Sequence, residues 1–172
     1  MTTIALKTIH YRGGIARFRI PANWVEEYEE AGGGVFYAPG DKTGTLRLNI
    51  LRMSPPAGQI VDSRTASQVL EIESKKYNVP IVVLSEYVAM VRYDLPGRDR
   101  GHSLKIRYWR LAQSLPPHHV RLPLFSYTLF AEQFDDAAYA SELELLDREI
   151  AAVELVPVLG QIDPEKPWWR FW

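Results

Sequence analysis

The chain contains no cysteine, carries almost no net charge and has no long hydrophobic run. The absence of cysteine excludes disulfides, thiolate nucleophiles and cysteine-bound zinc or iron–sulfur centres. Its 20 basic and 21 acidic residues leave a formal charge of −1, which argues against nucleic acid as a partner because phosphate binding needs clustered basic residues. No stretch approaches the roughly 20 apolar residues of a membrane span, and Met1–His10 lacks the pattern of a secretory signal. We therefore expect a cytoplasmic protein.

What remains is ordinary globular composition, with 47% hydrophobic and 24% charged residues in a chain of 172. That length corresponds to one domain of about 150 residues with a short extension. The last segment differs in composition, because it is rich in proline and holds three of the five tryptophans. The sequence therefore predicts a single domain over residues 1–157 and a proline- and tryptophan-rich tail over 158–172.

In the first half of the chain, apolar and polar residues alternate in the pattern that is typical of β-strands. Phe18 and Ile20 fall on one face of a predicted strand, and Arg17 and Arg19 fall on the other. The acidic run from Glu26 to Glu30, followed by three glycines, predicts a turn with a solvated acidic rim. Further segments complete the first half: strands at 35–38 and 45–53, joined by a turn at 41–44, and a helix from Asp62 or Ser63 to about Tyr77.

The second half continues with strands and ends in a helix. Strands are predicted over 81–95, with a bend near 85–86, over 102–111 after a polar turn at 96–101, and over 120–130. Pro123 predicts that the last of these begins at a sheet edge or a bulge, because proline cannot donate to the ladder. Connections this short do not allow parallel crossovers. The order predicts an α+β fold with a mostly antiparallel sheet flanked by two helices.

The final helix has the clearest pattern. Asp136 is suited to cap it, and its apolar positions step by four and three residues. The opposite side is predicted to be polar and to include Asp147 and Glu149, with Glu144 and Arg148 spaced to form an i, i+4 pair.

No catalytic constellation stands out, and the chain predicts no cofactor. None of its serines lies on a glycine-flanked elbow. Asp94, Asp99 and His102 are the least unfavourable acid–base candidates, although turn chemistry explains the same residues. His118 and His119 are adjacent, so on a strand they point to opposite faces and do not predict a shared metal site.

Two features suggest binding. Basic residues interleave with aromatics around Arg107 and Trp109, a pattern shared by single-stranded nucleic acid sites and solvated sheet faces; the overall charge favours the second. The other feature is the aromatic end of the tail, formed by Trp168, Trp169, Arg170, Phe171 and Trp172. These residues are suited to cap the domain's own sheet, to dock into a partner or second copy, or to meet a membrane surface. We take them, with Arg107 and Trp109, as candidate binding residues.

A resemblance sharpens the expected fold. The strand ending in Pro21, the step Asn23–Trp24 and the following pair of strands resemble the opening of the PsbP-like superfamily. Its members include the PsbP subunit of photosystem II, the DcrB lipoproteins and the Eag secretion chaperones. The resemblance implies an α-β-α sandwich that binds another polypeptide, without enzymatic activity in most members. This chain lacks the lipoprotein cysteine of the exported members, which disfavours the PsbP and DcrB roles.

These observations support a non-enzymatic protein-binding module, such as an adaptor or a secretion-related chaperone. The alternative is a small-molecule-binding protein or enzyme with a pocket beneath the sheet. Self-association into a homodimer is a further expectation.

Overall fold

The structure, a computed structural model, describes residues 4–156. These residues form ten strands and two α-helices. The elements in chain order are β1 Leu6–Tyr11, β2 Ala16–Pro21, β3 Val25–Tyr28, β4 Gly34–Tyr37, β5 Thr45–Met53, α1 Thr65–Tyr77, β6 Val82–Ser85, β7 Val88–Asp99, β8 His102–Leu115, β9 His119–Phe130, α2 Ala137–Ala151 and β10 Glu154–Leu155. No helix among them is long and apolar enough to cross a membrane.

The strands form a large sheet and a small one. The large sheet has seven strands in the order β3-β4-β5-β9-β8-β7-β6, and the small sheet has the order β1-β2-β10. Every recorded strand pairing is antiparallel. The predicted α+β fold with a mostly antiparallel sheet and two flanking helices is therefore confirmed.

One face of the large sheet, here called the α2 face, carries the main core. The small sheet and α2 pack on it, because β2 presents the alternating apolar side chains that the sequence predicts. Phe18 lies edge-on to Phe36 and Phe125, with ring centroids 5.5 and 5.1 Å apart. Edge-to-face aromatic pairs of this kind stabilise a core beyond their buried area.

The opposite face, here called the α1 face, has a smaller core. Ala66 and Leu70 of α1 pack against buried residues of β7, β8 and β9 such as Val91, Ala112 and Leu122. The helix ends at Tyr77, as predicted, where Asn78 adopts a left-handed conformation. It begins at Thr65, slightly later than predicted, and Asp62 accepts a hydrogen bond from the Arg64 amide at 2.8 Å.

Three local expectations are wrong. Glu26 and Glu27 belong to β3 and not to a turn; the hairpin bends at residues 29–33, where the Glu29 amide donates to the Gly33 carbonyl. The turn before β8 is confined to Arg100 and Gly101, which both have positive φ. Pro123 lies in β9, between β5 and β8, and not at an edge or bulge. The pairing of β9 with β8 is interrupted opposite Pro123, which accommodates the missing N–H.

Helix α2 begins as predicted but buries an unexpected carboxylate. Asp136 caps it by accepting a hydrogen bond from the Ala138 amide at 2.9 Å. Glu149, expected on the polar side, is only 2% exposed. Arg19 of the small sheet donates two hydrogen bonds to it, at 2.8 and 3.1 Å, and Arg148 donates a third at 3.1 Å. Arg148 therefore pairs with Glu149, where the sequence predicts a pair with Glu144.

Candidate functional site

Helix α1 covers only part of its face of the large sheet. Its border is marked by Tyr77, which stacks on Tyr93 of β7, and by Glu73, which forms an ion pair with Arg110 of β8 at 3.6 Å. Beyond this border the side chains of the α1 face are half-buried or exposed. Leu51 of β5, for example, is 61% exposed. No element within residues 4–156 covers this area.

We call this uncovered area the open patch. It spans five neighbouring strands, and its members share the α1 face because they are cross-strand partners in register. It comprises Val35 and Tyr37 of β4; Thr45, Arg47, Asn49 and Leu51 of β5; Leu124, Ser126, Thr128 and Phe130 of β9; Leu104, Ile106 and Tyr108 of β8; and Tyr93 and Leu95 of β7. Apolar and aromatic side chains dominate it, with few charges.

A stack of three tyrosines gives the patch a fixed border. The rings of Tyr77 and Tyr93 lie 4.0 Å apart between centroids, and those of Tyr93 and Tyr108 lie 5.4 Å apart. Burial raises the pKa of Tyr93 to about 12, so its hydroxyl stays protonated at neutral pH. The stack presents aromatic surface together with hydroxyl groups able to donate hydrogen bonds.

Arg107 and Trp109, two of the candidate binding residues, lie on the other face beneath α2. Trp109 is fully buried, and its Nε1 donates to Oδ1 of Asp147 at 2.8 Å. Arg107 donates to Asp94 at 2.8 and 3.1 Å and to Asp147 at 3.1 Å. Arg92 also pairs with Asp147. These contacts attach α2 to the large sheet and leave Trp109 without a surface for a partner.

The interleaved basic and aromatic residues do not form one surface. Lys105 and Arg107 lie over the ring of Phe134 on the α2 face, whereas Tyr108 and Arg110 lie on the α1 face. The alternation along β8 is as predicted. Its apolar side chains form part of the open patch, and its basic side chains on the α2 face are partly covered.

The tail candidates Trp168, Trp169, Arg170, Phe171 and Trp172 lie outside the described residues. Their role stays a prediction.

The structure brings two of the three acid–base candidates together, because Asp99 and His102 are cross-strand partners at the end of the β7–β8 hairpin. Asp94 is bound by Arg107, and Asp99 lies five residues further along β7 on the opposite face, roughly 17 Å away at the usual strand rise. His102 packs edge-on against Phe130, with centroids 5.3 Å apart. Asp99 and His102 are both exposed at the tip of the hairpin and line neither of the two cavities described below.

The adjacent histidines likewise show no metal geometry. Nε2 of His119 lies 3.1 Å from Nη2 of Arg52, and Nδ1 lies 3.1 Å from Oγ of Ser54. Burial, with the charge of Arg52, lowers the pKa of His119. Within residues 4–156 no group of three metal-ligating side chains converges.

The sequence does not identify one carboxyl group whose pKa is perturbed in the structure. Glu142 of α2 accepts a hydrogen bond from the Tyr127 hydroxyl, and burial raises its pKa to about 7. A perturbed carboxyl of this kind often marks a functional site. Two cavities of the described residues lie elsewhere. One, of about 510 Å³, is polar and lies between Arg17 and Arg19 of β2 and the end of α2; the other, of about 220 Å³, lies between β6 and α1.

Comparisons with known proteins establish the fold alone. No family model matches the chain, and no curated protein matches it. A crystal structure from Bacteroides thetaiotaomicron VPI-5482 is similar with a TM-score of 0.58 and 16% identity, covering 87% of this chain and 48% of that one. This chain therefore spans about half the length of that protein.

LpqN, described as involved in cell envelope biogenesis of Mycobacterium tuberculosis, gives a TM-score of 0.60 at 9% identity and covers 91% of this chain and 93% of its own. A point mutant of the protein Mog1 gives a TM-score of 0.49 at 8% identity, covering 93% and 100%. At such identities the likeness to LpqN and the Bacteroides protein extends to architecture and not to function. The chain thus shares an α+β fold with these two solved structures.

Proposed function

We propose that the chain is a non-enzymatic protein-binding module, of adaptor or chaperone type, that holds a partner polypeptide on the open patch. The observation that carries this proposal is a sparsely charged, aromatic-bordered stretch of the α1 face that no described element covers. Contiguous apolar surface rimmed by polar groups is typical of protein-interaction sites. The likeness to LpqN and the resemblance to the PsbP-like superfamily are compatible with such a role.

The chemistry of the patch suits a polypeptide. Tyrosine, phenylalanine and arginine side chains are enriched at interfaces, and here they lie beside threonine and serine hydroxyls able to bind main-chain groups. The Tyr77, Tyr93 and Tyr108 stack is already ordered, so binding loses little side-chain entropy there. A rigid, preformed surface of this kind favours affinity over adaptability.

The enzymatic alternative has weaker support. Glu142 is the carboxyl group with a strongly raised pKa, but it is half-buried against Tyr127 and lines neither of the two cavities described above. A general acid needs to reach a substrate. Asp99 and His102 are adjacent but exposed at a hairpin tip, away from Asp94 and outside both cavities, so acid–base chemistry there lacks an enclosed place for a substrate.

The same proposal includes the tail. Trp168, Trp169, Arg170, Phe171 and Trp172 would add aromatic contacts to the partner or to a second copy of the chain, and 1–157 and 158–172 would act as domain and tail. A cytoplasmic location and self-association into a homodimer belong to this proposal as well.

The experiment is affinity capture with matched surface variants. The immobilised full chain, the variant Leu51→Asp and the control Ile72→Asp are compared by quantitative mass spectrometry. Leu51 is 61% exposed on the open patch and Ile72 is 76% exposed on α1, so neither change disturbs a core. We expect specific partners to be captured by the wild-type chain and by I72D but lost with L51D. Equal capture by all three chains would contradict the proposal.

A further inference from the structure

We propose that β6 is a docking edge for an extended peptide of another protein, which adds a strand to the large sheet and inserts one apolar side chain between β6 and α1. The inference goes beyond the open patch, because it uses a different edge and different residues. Within residues 4–156, β6 pairs with β7 alone and forms one end of the sheet. Its outer main-chain groups are therefore available.

The two ends of the large sheet differ in how they are protected. At the far end, β3 carries Glu26 and Glu27, whose carboxylates accept hydrogen bonds from Tyr28 and Tyr37. Charged side chains on an edge strand discourage further pairing. The sequence of β6, from Val82 to Ser85, contains no charge. The register of β6 with β7 shifts between Val83 and Ser85, but the charges that protect the β3 edge are absent from β6. Within residues 4–156 the outer edge of β6 therefore lacks charge protection and has no strand partner.

Two apolar side chains of β6 are exposed. Val82 is 44% exposed and Val83 is 67% exposed, and they point to opposite faces of the sheet. Val83 faces the α1 side, because its register partner Ala89 belongs to the core beneath that helix. A peptide strand pairing with β6 would cover both valines.

A groove lies beside this edge. Its volume is about 220 Å³, and its walls are small or apolar: Ser63, Ala66, Ser67, Val83, Val88 and Ala89. Pockets for small molecules usually measure roughly 300–1,000 Å³, so this groove suits a single side chain better than a whole ligand. Strand addition uses such a combination, in which main-chain hydrogen bonds give affinity and a side-chain pocket gives specificity.

The occupant is a separate peptide and not a second copy of this chain. Four residues of strand span only roughly 13 Å, which is too short for strand pairing alone to bury the roughly 1,200 Å² of a stable dimer interface. Arg64 and Glu86 also line the groove, and Arg64 already forms an ion pair with Asp62. The small and apolar side chains of the groove favour a peptide that is uncharged at its centre, with a β-branched or leucine-sized side chain facing the groove.

The test uses a labelled peptide and fluorescence anisotropy. The probe is eight alternating threonines and valines with a lysine at each end, and its control carries two central prolines, which cannot donate ladder hydrogen bonds. The full chain is compared with Val83→Lys and with Ile72→Lys, which places the same charge at an exposed apolar position of α1. We expect saturable binding by the wild type and I72K, at least tenfold weaker binding by V83K, and none to the proline peptide.

Hydrogen exchange and light scattering complete the test. On peptide binding, the amides of residues 82–85 should become protected from exchange, and the chain should not change its oligomeric state. The proposal is overturned by absence of saturable binding, by equal binding to V83K, or by protection confined to other strands. A dimer that V83K converts to a monomer would also overturn it, since the occupant would then be a second copy.

Discussion

Replacing Asp147 with alanine tests whether Arg107 and Trp109 serve the fold. The Asp147 carboxylate accepts from the Trp109 indole at 2.8 Å and from Arg107 at 3.1 Å, and it pairs with Arg92. Its side chain is only 21% exposed. The variant D147A would therefore release α2 from three points on the large sheet at once.

The expected magnitude follows from these contacts. A buried indole N–H left without an acceptor costs about 1–3 kcal/mol. The exposed pair with Arg92 contributes about 1 kcal/mol or less, and Arg107 keeps its bonds to Asp94. We expect D147A to lower the free energy of unfolding by about 2–4 kcal/mol, which for a chain of this size lowers Tm by roughly 6–12 °C.

Urea unfolding followed by circular dichroism measures this loss. D147N keeps an oxygen acceptor for the Trp109 indole and should lose about half as much. Asp41→Ala, at an exposed loop position, is the control and should change stability by less than about 0.5 kcal/mol. A D147A variant as stable as the control would refute the role assigned to this carboxylate.

Further predictions concern the core and the caps. Burial raises the pKa of Glu142 from 4.5 to about 7, so the folded chain binds the proton more tightly than the unfolded chain, and the free energy of unfolding falls as pH rises from 4.5 to about 7. Glu142→Gln should remove roughly 1–2 kcal/mol of this pH dependence, after allowance for the partial exposure of the Glu142 side chain. Equal pH profiles of the variant and the wild type in urea unfolding would contradict this prediction. A Cβ at Gly44 would lie 1.8 Å from the Tyr127 hydroxyl, so Gly44→Ala should lower the free energy of unfolding by about 1–3 kcal/mol, measured by thermal unfolding. An unchanged stability would mean that the Tyr127 side chain shifts to accommodate the methyl group. Asp136→Ala removes the hydrogen bond to the Ala138 amide and should cost about 1 kcal/mol, with Asp136→Asn close to wild type; equal losses in both would exclude a capping role.

The sequence allowed the order of strands, helix, strands and helix and the core-facing side of β2 to be predicted because both rest on local periodicity, whereas β1, β3 and β10 were not predicted. Phe18 and Ile20 alternate with Arg17 and Arg19, and both members of each set lie where alternation places them. Asp136 carries its capping signal within two residues of the amide that it binds. Signals of this range need no knowledge of the tertiary fold.

The errors arise where distant partners decide burial. The sequence pattern predicts Glu149 at the surface, yet Arg19, 130 positions away in sequence, binds its carboxylate and makes its burial possible. The sequence pattern likewise predicts Arg107 on a solvated face, because its partner Asp147 lies 40 positions later in the chain. The alternation of β8 predicts which side chains share a face of the sheet. It does not predict how much of each face a helix covers, so the open patch could not be located from the sequence.

Hydroxyl-radical footprinting of the chain with a captured partner tests most directly whether partners bind the open patch. Tyr93 and Tyr108 lie on the patch, and Tyr28, at the β3 edge and 45% exposed, serves as an internal reference. We predict that oxidation of Tyr93 and Tyr108 falls in the complex while that of Tyr28 is unchanged. Unaltered oxidation of both patch tyrosines in a saturated complex would contradict the claim.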